Sequence, residues 1–110
     1  MTLNHVHVGV RDLPGALEWV RSVWQVVPSF QNQAMATLQF GDFMLILDAA
    51  ADDGAATIGF ESEDCDRDYI AVVGRGAMSL AVPANQRWGT RAAYVRGPGR
   101  LTFEIEGPLT

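Results

Sequence analysis

The sequence predicts an α+β fold made of two βαβββ units, and three observations carry that expectation. Aliphatic and polar residues alternate in short runs of strand length. Two other segments hold apolar residues at helical spacing behind an aspartate. The second half of the chain then repeats the element order of the first.

The first strand is expected over 3–10 ("LNHVHVGV"), where Val6, Val8 and Val10 alternate with His5, His7 and Gly9. Asp12 is placed to cap a helix over 13–24, whose stripe is Leu13, Leu17, Val20 and Trp24. Extended runs follow at 26–30, 35–40 and 43–47, the last two joined by a Gly41 and Asp42 turn. After the linker "DAAADDGAA" the pattern restarts with "TIGFESED" at 57–64. The slide that lays Thr57 on His5 also lays Phe60 on Val8 and Asp64 on Asp12. A second helix is expected over 64–73, ended by Gly74 and Gly76, with strands near 78–82, 90–95 and 101–106. The closing strands superpose too: "GDFMLILD" (41–48) matches "GRLTFEIE" (99–106), with the extra residues in the loop "ANQRWG". The chain is read as a single domain, 1–110, with repeats at 1–50 and 56–110. Each repeat alone has too little core to be stable, so the two are expected to pack together or with a second chain.

Composition excludes several classes. With 110 residues and 48% hydrophobic content the chain can build a core without disulfides. Cys65 is the single cysteine, which fits a reducing compartment, and no leader pattern or apolar run near ~20 residues is present, so a cytoplasmic protein is expected. Eight basic against 13 acidic residues give a net charge of −5, which argues against nucleic acid and anionic membranes as partners. The stretches "GRGA" and "GPGR" lack the spacing and context of a phosphate-binding loop. The serines have no nucleophile elbow, and the acidic surroundings of Cys65 are expected to raise its pKa, so nucleophilic catalysis is not expected.

The stretches "LNHVHVGVRDLPGALEWV", "SEDCDRDYIAVVGRGAMSLAVP" and "RWGTRAAYVRGPGRLTFEIEG", in this order and spacing, resemble the vicinal oxygen chelate superfamily, which includes glyoxalase I, extradiol dioxygenases and bleomycin-resistance proteins. The resemblance implies two βαβββ units curled into a half-open mixed-sheet barrel around a cup, in chains that are often homodimers. By alternation Val6, Val8 and Val10 would pack outside, under the helices. His5, His7, Gly9, Thr57, Gly59, Glu61, Thr102, Glu104 and Glu106 would face the cup. In the hairpin "VRGPGRLTFE", Gly97 and Pro98 take over a turn where the family usually has an aspartate.

Metalloenzymes of this family carry ligands at positions that fall here on His5, Ile46, Thr57 and Glu104. His5 and Glu104 fit a metal or catalytic role. Ile46 cannot ligate, and Thr57 stands where a second histidine is common. A divalent ion such as Mn, Fe, Ni or Zn needs about three protein ligands, so the expectation is a cup without cofactor, His5 being a hydrogen-bonded residue paired with Glu104. Metal-free relatives sequester planar cationic drugs between aromatic side chains in an acidic groove. The matching ingredients here are the charge of −5, Trp88 in a polar hairpin, and the five acids Glu61, Glu63, Asp64, Asp66 and Asp68. Phe30, Tyr94, His7, Thr57 and Glu61 join Trp88 as candidate ligand-binding residues. Plain packing is the stronger reading of Trp24, Phe43, Phe60 and Phe103, and Asp64 and Asp66 equally suit a helix N-terminus. The function expected is small-molecule binding of the bleomycin-resistance type. The alternatives are a metal-dependent glyoxalase or dioxygenase-type enzyme using His5 and Glu104, and a non-catalytic interaction module.

Overall fold

The computed structural model describes residues 1–98 and 100–110; Gly99, which belongs to the expected match of closing strands, lies outside them. The chain divides into two compact units, His5–Ala56 and Thr57–Thr110 with Met1–Asn4.

The first unit contains β1 (Thr2–Val10, of which residues 5–10 belong here), α1 (Leu13–Trp24), β2 (Phe30–Gln31), β3 (Met35–Phe40) and β4 (Phe43–Ala49). The strands lie in the order β2-β3-β4-β1, with β4 parallel to β1 and antiparallel to β3. Phe40 and Phe43 face each other across the two-residue Gly41 and Asp42 turn. Gly41 has φ 62, the left-handed value that the first central position of a type II′ hairpin requires.

Asp12 caps α1 as expected, its carboxylate accepting the Gly15 N–H at 3.0 Å. At the other end Gln25 takes φ 57 and donates its N–H to the Arg21 carbonyl, so a non-glycine residue performs the left-handed cap. Leu13, Leu17 and Val20 pack with Ala36, Leu38 and Leu47, and Val8 and Val10 close the cluster from β1. The expected stripe included Trp24, and this is corrected: Trp24 is 61% exposed. The left-handed turn at Gln25 brings Val26, two residues past Trp24, against the core instead. The run expected over 26–30 also shortens, since strand pairing begins only at Phe30.

The second unit contains β5 (Ala56–Glu61), α2 (Cys65–Gly74), β6 (Ser79–Asn85), β7 (Arg91–Arg96) and β8 (Leu101–Gly107), in the strand order β5-β8-β7-β6. Asp64 caps α2 by accepting the Arg67 N–H at 3.1 Å. Cys65, Ala93 and Ile105 form the buried centre, with Tyr69 and Val72 of α2 against it. Along β8, Ile105 therefore faces the helix while Glu104 belongs to the opposite face, as the alternation predicted. The edge strand β6 pairs with β7 through two register shifts, the second spanning Pro83, which has no N–H to give the ladder. Among the described residues no helix is long and apolar enough to cross a membrane.

Candidate functional site

In the unit 5–56, strand period sets His5 and His7 on one face of β1. His5 is buried at 7% exposure, and the two rings meet edge to face with centroids 5.3 Å apart. Parallel pairing places Asp48 opposite Gly9, where its carboxylate lies 3.0 Å from His7 Nδ1. That contact fixes the ring orientation of His7 and directs Nε2 away from Asp48. Ile46 is a buried aliphatic residue, and Phe30 stands on the two-residue strand β2 with 53% exposure.

In the unit 57–110, Tyr94 and Glu104 face each other across β7 and β8. The Tyr94 hydroxyl donates to Glu104 Oε2 at 2.5 Å, and Glu104 is 3% exposed. Burial first, and then this hydrogen bond, push the Tyr94 pKa well above the ordinary tyrosine value. The phenol therefore stays protonated near neutral pH and keeps its O–H on Glu104.

The second feature of this unit is a cavity of about 810 Å³. Glu61, Glu63, Asp68 and Glu106 line it against two cationic groups, the Arg67 guanidinium and the Met1 amino group. Glu106 Oε2 accepts both the Trp88 indole N–H at 3.1 Å and the Thr90 hydroxyl at 3.0 Å. Its other carboxylate oxygen takes no hydrogen bond among the described residues. Trp88 keeps 60% of its surface exposed while tied by its ring nitrogen to the cavity wall.

The five acids between residues 61 and 68 thus divide by task. Asp64 caps α2, and Asp66 pairs with Arg91 at 2.8 Å, tying the helix start to β7. Asp68 accepts from the Ser62 hydroxyl, a bond that holds its carboxyl below the usual range, while Glu61 and Glu63 remain as cavity lining. Ser62 is itself anchored, its N–H donating to the Glu106 carbonyl at 2.7 Å. Gly107 makes this approach possible, since a Cβ there would sit 2.8 Å from the Ser62 carbonyl oxygen.

Of the expected ligand-binding residues, Glu61 lines the cavity, Trp88 is bonded to its Glu106, and Tyr94 is bonded to Glu104. Thr57 is half-buried on β5 outside the lining, and His7 and Phe30 belong to the other unit. Sequence reading missed Ser62, Thr90 and Gly107. The signal for Ser62 was its hydroxyl two residues before Asp64, whose N–H it accepts at 3.0 Å. Cys65 has its pKa pushed up to about 11, by burial first and the Asp66 charge second. The acidic neighbours that the sequence emphasised are thus the smaller cause.

No family model matches the chain, and no curated protein matches it in sequence. Among solved structures it is similar to methylmalonyl-CoA epimerase of Streptomyces coelicolor in complex with 2-nitronate-propionyl-CoA, at 17% identity and TM-score 0.77 over 100% of this chain and 96% of that one. A hypothetical protein of Bacillus halodurans C-125 matches at 12% identity and TM-score 0.76, over 99% and 95% of the two chains. An NAD-dependent benzaldehyde dehydrogenase of Legionella pneumophila matches at 13% and 0.74, over 96% and 99%. At such identities the likeness is one of fold, and that fold is the one of the vicinal oxygen chelate superfamily, to which the epimerase belongs.

Proposed function

We propose that the protein binds a small planar cation in the acidic cavity of the unit 57–110, and that it does so without a metal. The observation that carries this reading is the placement of four carboxylates against two cationic groups, Arg67 and the Met1 amino group, around about 810 Å³, with the exposed indole of Trp88 tied to one of the carboxylates. Opposite charge raises the encounter rate, and a cation over an indole face gains about 0.5–2 kcal/mol. The volume falls in the range of about 300–1,000 Å³ typical of small-molecule sites. Sequestration of a flat cationic drug, as in bleomycin resistance, is the biological use this chemistry suits. We place the protein in the cytoplasm as a homodimer; the exposed Trp19, Val23 and Trp24 on α1 support self-association, which sedimentation tests directly.

The experiment is a titration with 9-aminoacridine, a flat cation, with acridine-9-carboxylate as the anionic comparison. The cation is expected to quench Trp88 fluorescence saturably, a signal lost in Trp88→Phe, and the anion to do nothing. Equal binding of both probes would end the reading.

A second reading is metal-dependent glyoxalase or dioxygenase chemistry with His5 and Glu104 as ligands. What favours it is the pair of imidazoles on β1, one of them oriented by Asp48 in the way that a carboxylate on the far ring nitrogen orients a metal-binding histidine. A bound divalent ion would supply Lewis acidity to a substrate oxygen. Metal analysis of protein purified without a histidine tag tests it: stoichiometric metal, lost in both His5→Ala and Glu104→Ala, would replace the first reading with this one.

A further inference from the structure

On the helix side of the second unit, β8, β5 and α2 enclose a cavity of about 410 Å³ that the acidic site does not use. Phe60 and Phe103 form one wall as a tilted pair with centroids 5.9 Å apart, and Val72 and Ile105 form another. Gly97 lets the chain pass over this wall, because a Cβ there would sit 2.6 Å from the Phe103 ring. The lining carries one charged side chain, Arg96, whose guanidinium has no ion pair or side-chain hydrogen bond among the described residues. In a protein of net charge −5, an unpaired arginine at the mouth of an apolar cavity selects for an anion with an apolar body.

The geometry points to a binding site for a medium-chain aliphatic carboxylate, with the chain between α2 and the phenylalanine pair and the carboxylate on Arg96. The volume lies near the low end of ordinary ligand pockets, about 300–1,000 Å³, which suits a single chain and not a fused ring system with substituents. This site is independent of the cation reading, since the two cavities share only Met1 among their lining residues and ask for opposite charge.

The test is calorimetric titration of the intact protein with octanoate, decanoate, decanol and decyltrimethylammonium, all below their micelle concentrations. Decanoate is expected to bind one to one and more tightly than octanoate, by about fourfold per added methylene. Arg96→Gln should weaken decanoate by about fivefold and leave decanol unchanged. Ala77→Phe fills the cavity and should abolish both; if that variant fails to fold, the Arg96→Gln comparison still decides. Saturating decanoate should leave 9-aminoacridine affinity unchanged. No binding of decanoate, equal binding of decyltrimethylammonium, or decanoate binding indifferent to Arg96→Gln would overturn the proposal.

Discussion

Tyr94→Phe removes one oxygen, and with it the hydroxyl that donates to the buried Glu104 side chain at 2.5 Å. Removing one partner of a buried hydrogen bond costs about 1–3 kcal/mol, and Tyr94 is only half-buried, so a loss of about 2 kcal/mol is expected at pH 7. For a chain of this size that lowers Tm by about 8 °C. Urea unfolding followed by circular dichroism measures it, and a double-mutant cycle with Glu104→Gln isolates the pair from the rest of each side chain. The alkaline limb gives an independent check. Because the folded pKa of Tyr94 is raised, its contribution is fully present below the ordinary tyrosine value and is lost as pH climbs from there towards the folded value. Cys65 is raised in the same direction, so the measurement belongs in a Cys65→Ala background. There, Tyr94→Phe should flatten the fall in stability at high pH. A loss below about 0.5 kcal/mol, or an unchanged alkaline slope, would refute the argument that this pair is a structural contact of the second unit.

Further outcomes follow from the local geometry. Gln25→Gly should raise stability by about 1 kcal/mol in urea titrations, because glycine occupies φ 57 without the steric cost that glutamine bears there. Gly107→Ala should cost about 1–3 kcal/mol by forcing a methyl group against the Ser62 carbonyl, and should weaken 9-aminoacridine binding by shifting that cavity wall. The Cys65 thiol, 2% exposed, should react with a disulfide reagent at pH 8 at least about 100-fold more slowly in the native protein than in urea. Ser62→Ala should be less stable than the wild type at neutral pH. Since the Asp68 pKa is depressed, that difference should close as pH falls below the ordinary carboxylate range, where Asp68 is protonated with or without Ser62.

Much of the fold was legible because it rests on local periodicity. Alternation marked β1 and β8, and the aspartates at 12 and 64 marked both helix starts, each confirmed by a side chain accepting a backbone N–H. What failed was decided by chain reversal: Trp24 keeps helical spacing with Val20, yet the turn at Gln25 delivers Val26 to the core. The second unit's cavity was legible only in part. Glu61 and Trp88 stood out by charge and by an aromatic ring in a polar loop. Ser62, Thr90 and Gly107 matter through bonds and close approaches to residues far along the chain, and spacing carries no sign of those. Within the acidic run 61–68 the sequence marked Asp64 and Asp66 for the helix start, whereas the pairing of Asp68 with Ser62 and the place of Glu61 and Glu63 in the cavity wall came only from the geometry.

Backbone amide shifts recorded during titration of chelator-treated protein with 9-aminoacridine test the central claim most directly. Metal-free cation binding in the acidic cavity predicts saturable shifts at Ser62, Thr90 and Gly107, weakened about fivefold by Glu106→Gln. Shifts confined to His5, His7 and Asp48, or binding restored only by adding a divalent metal, would contradict it.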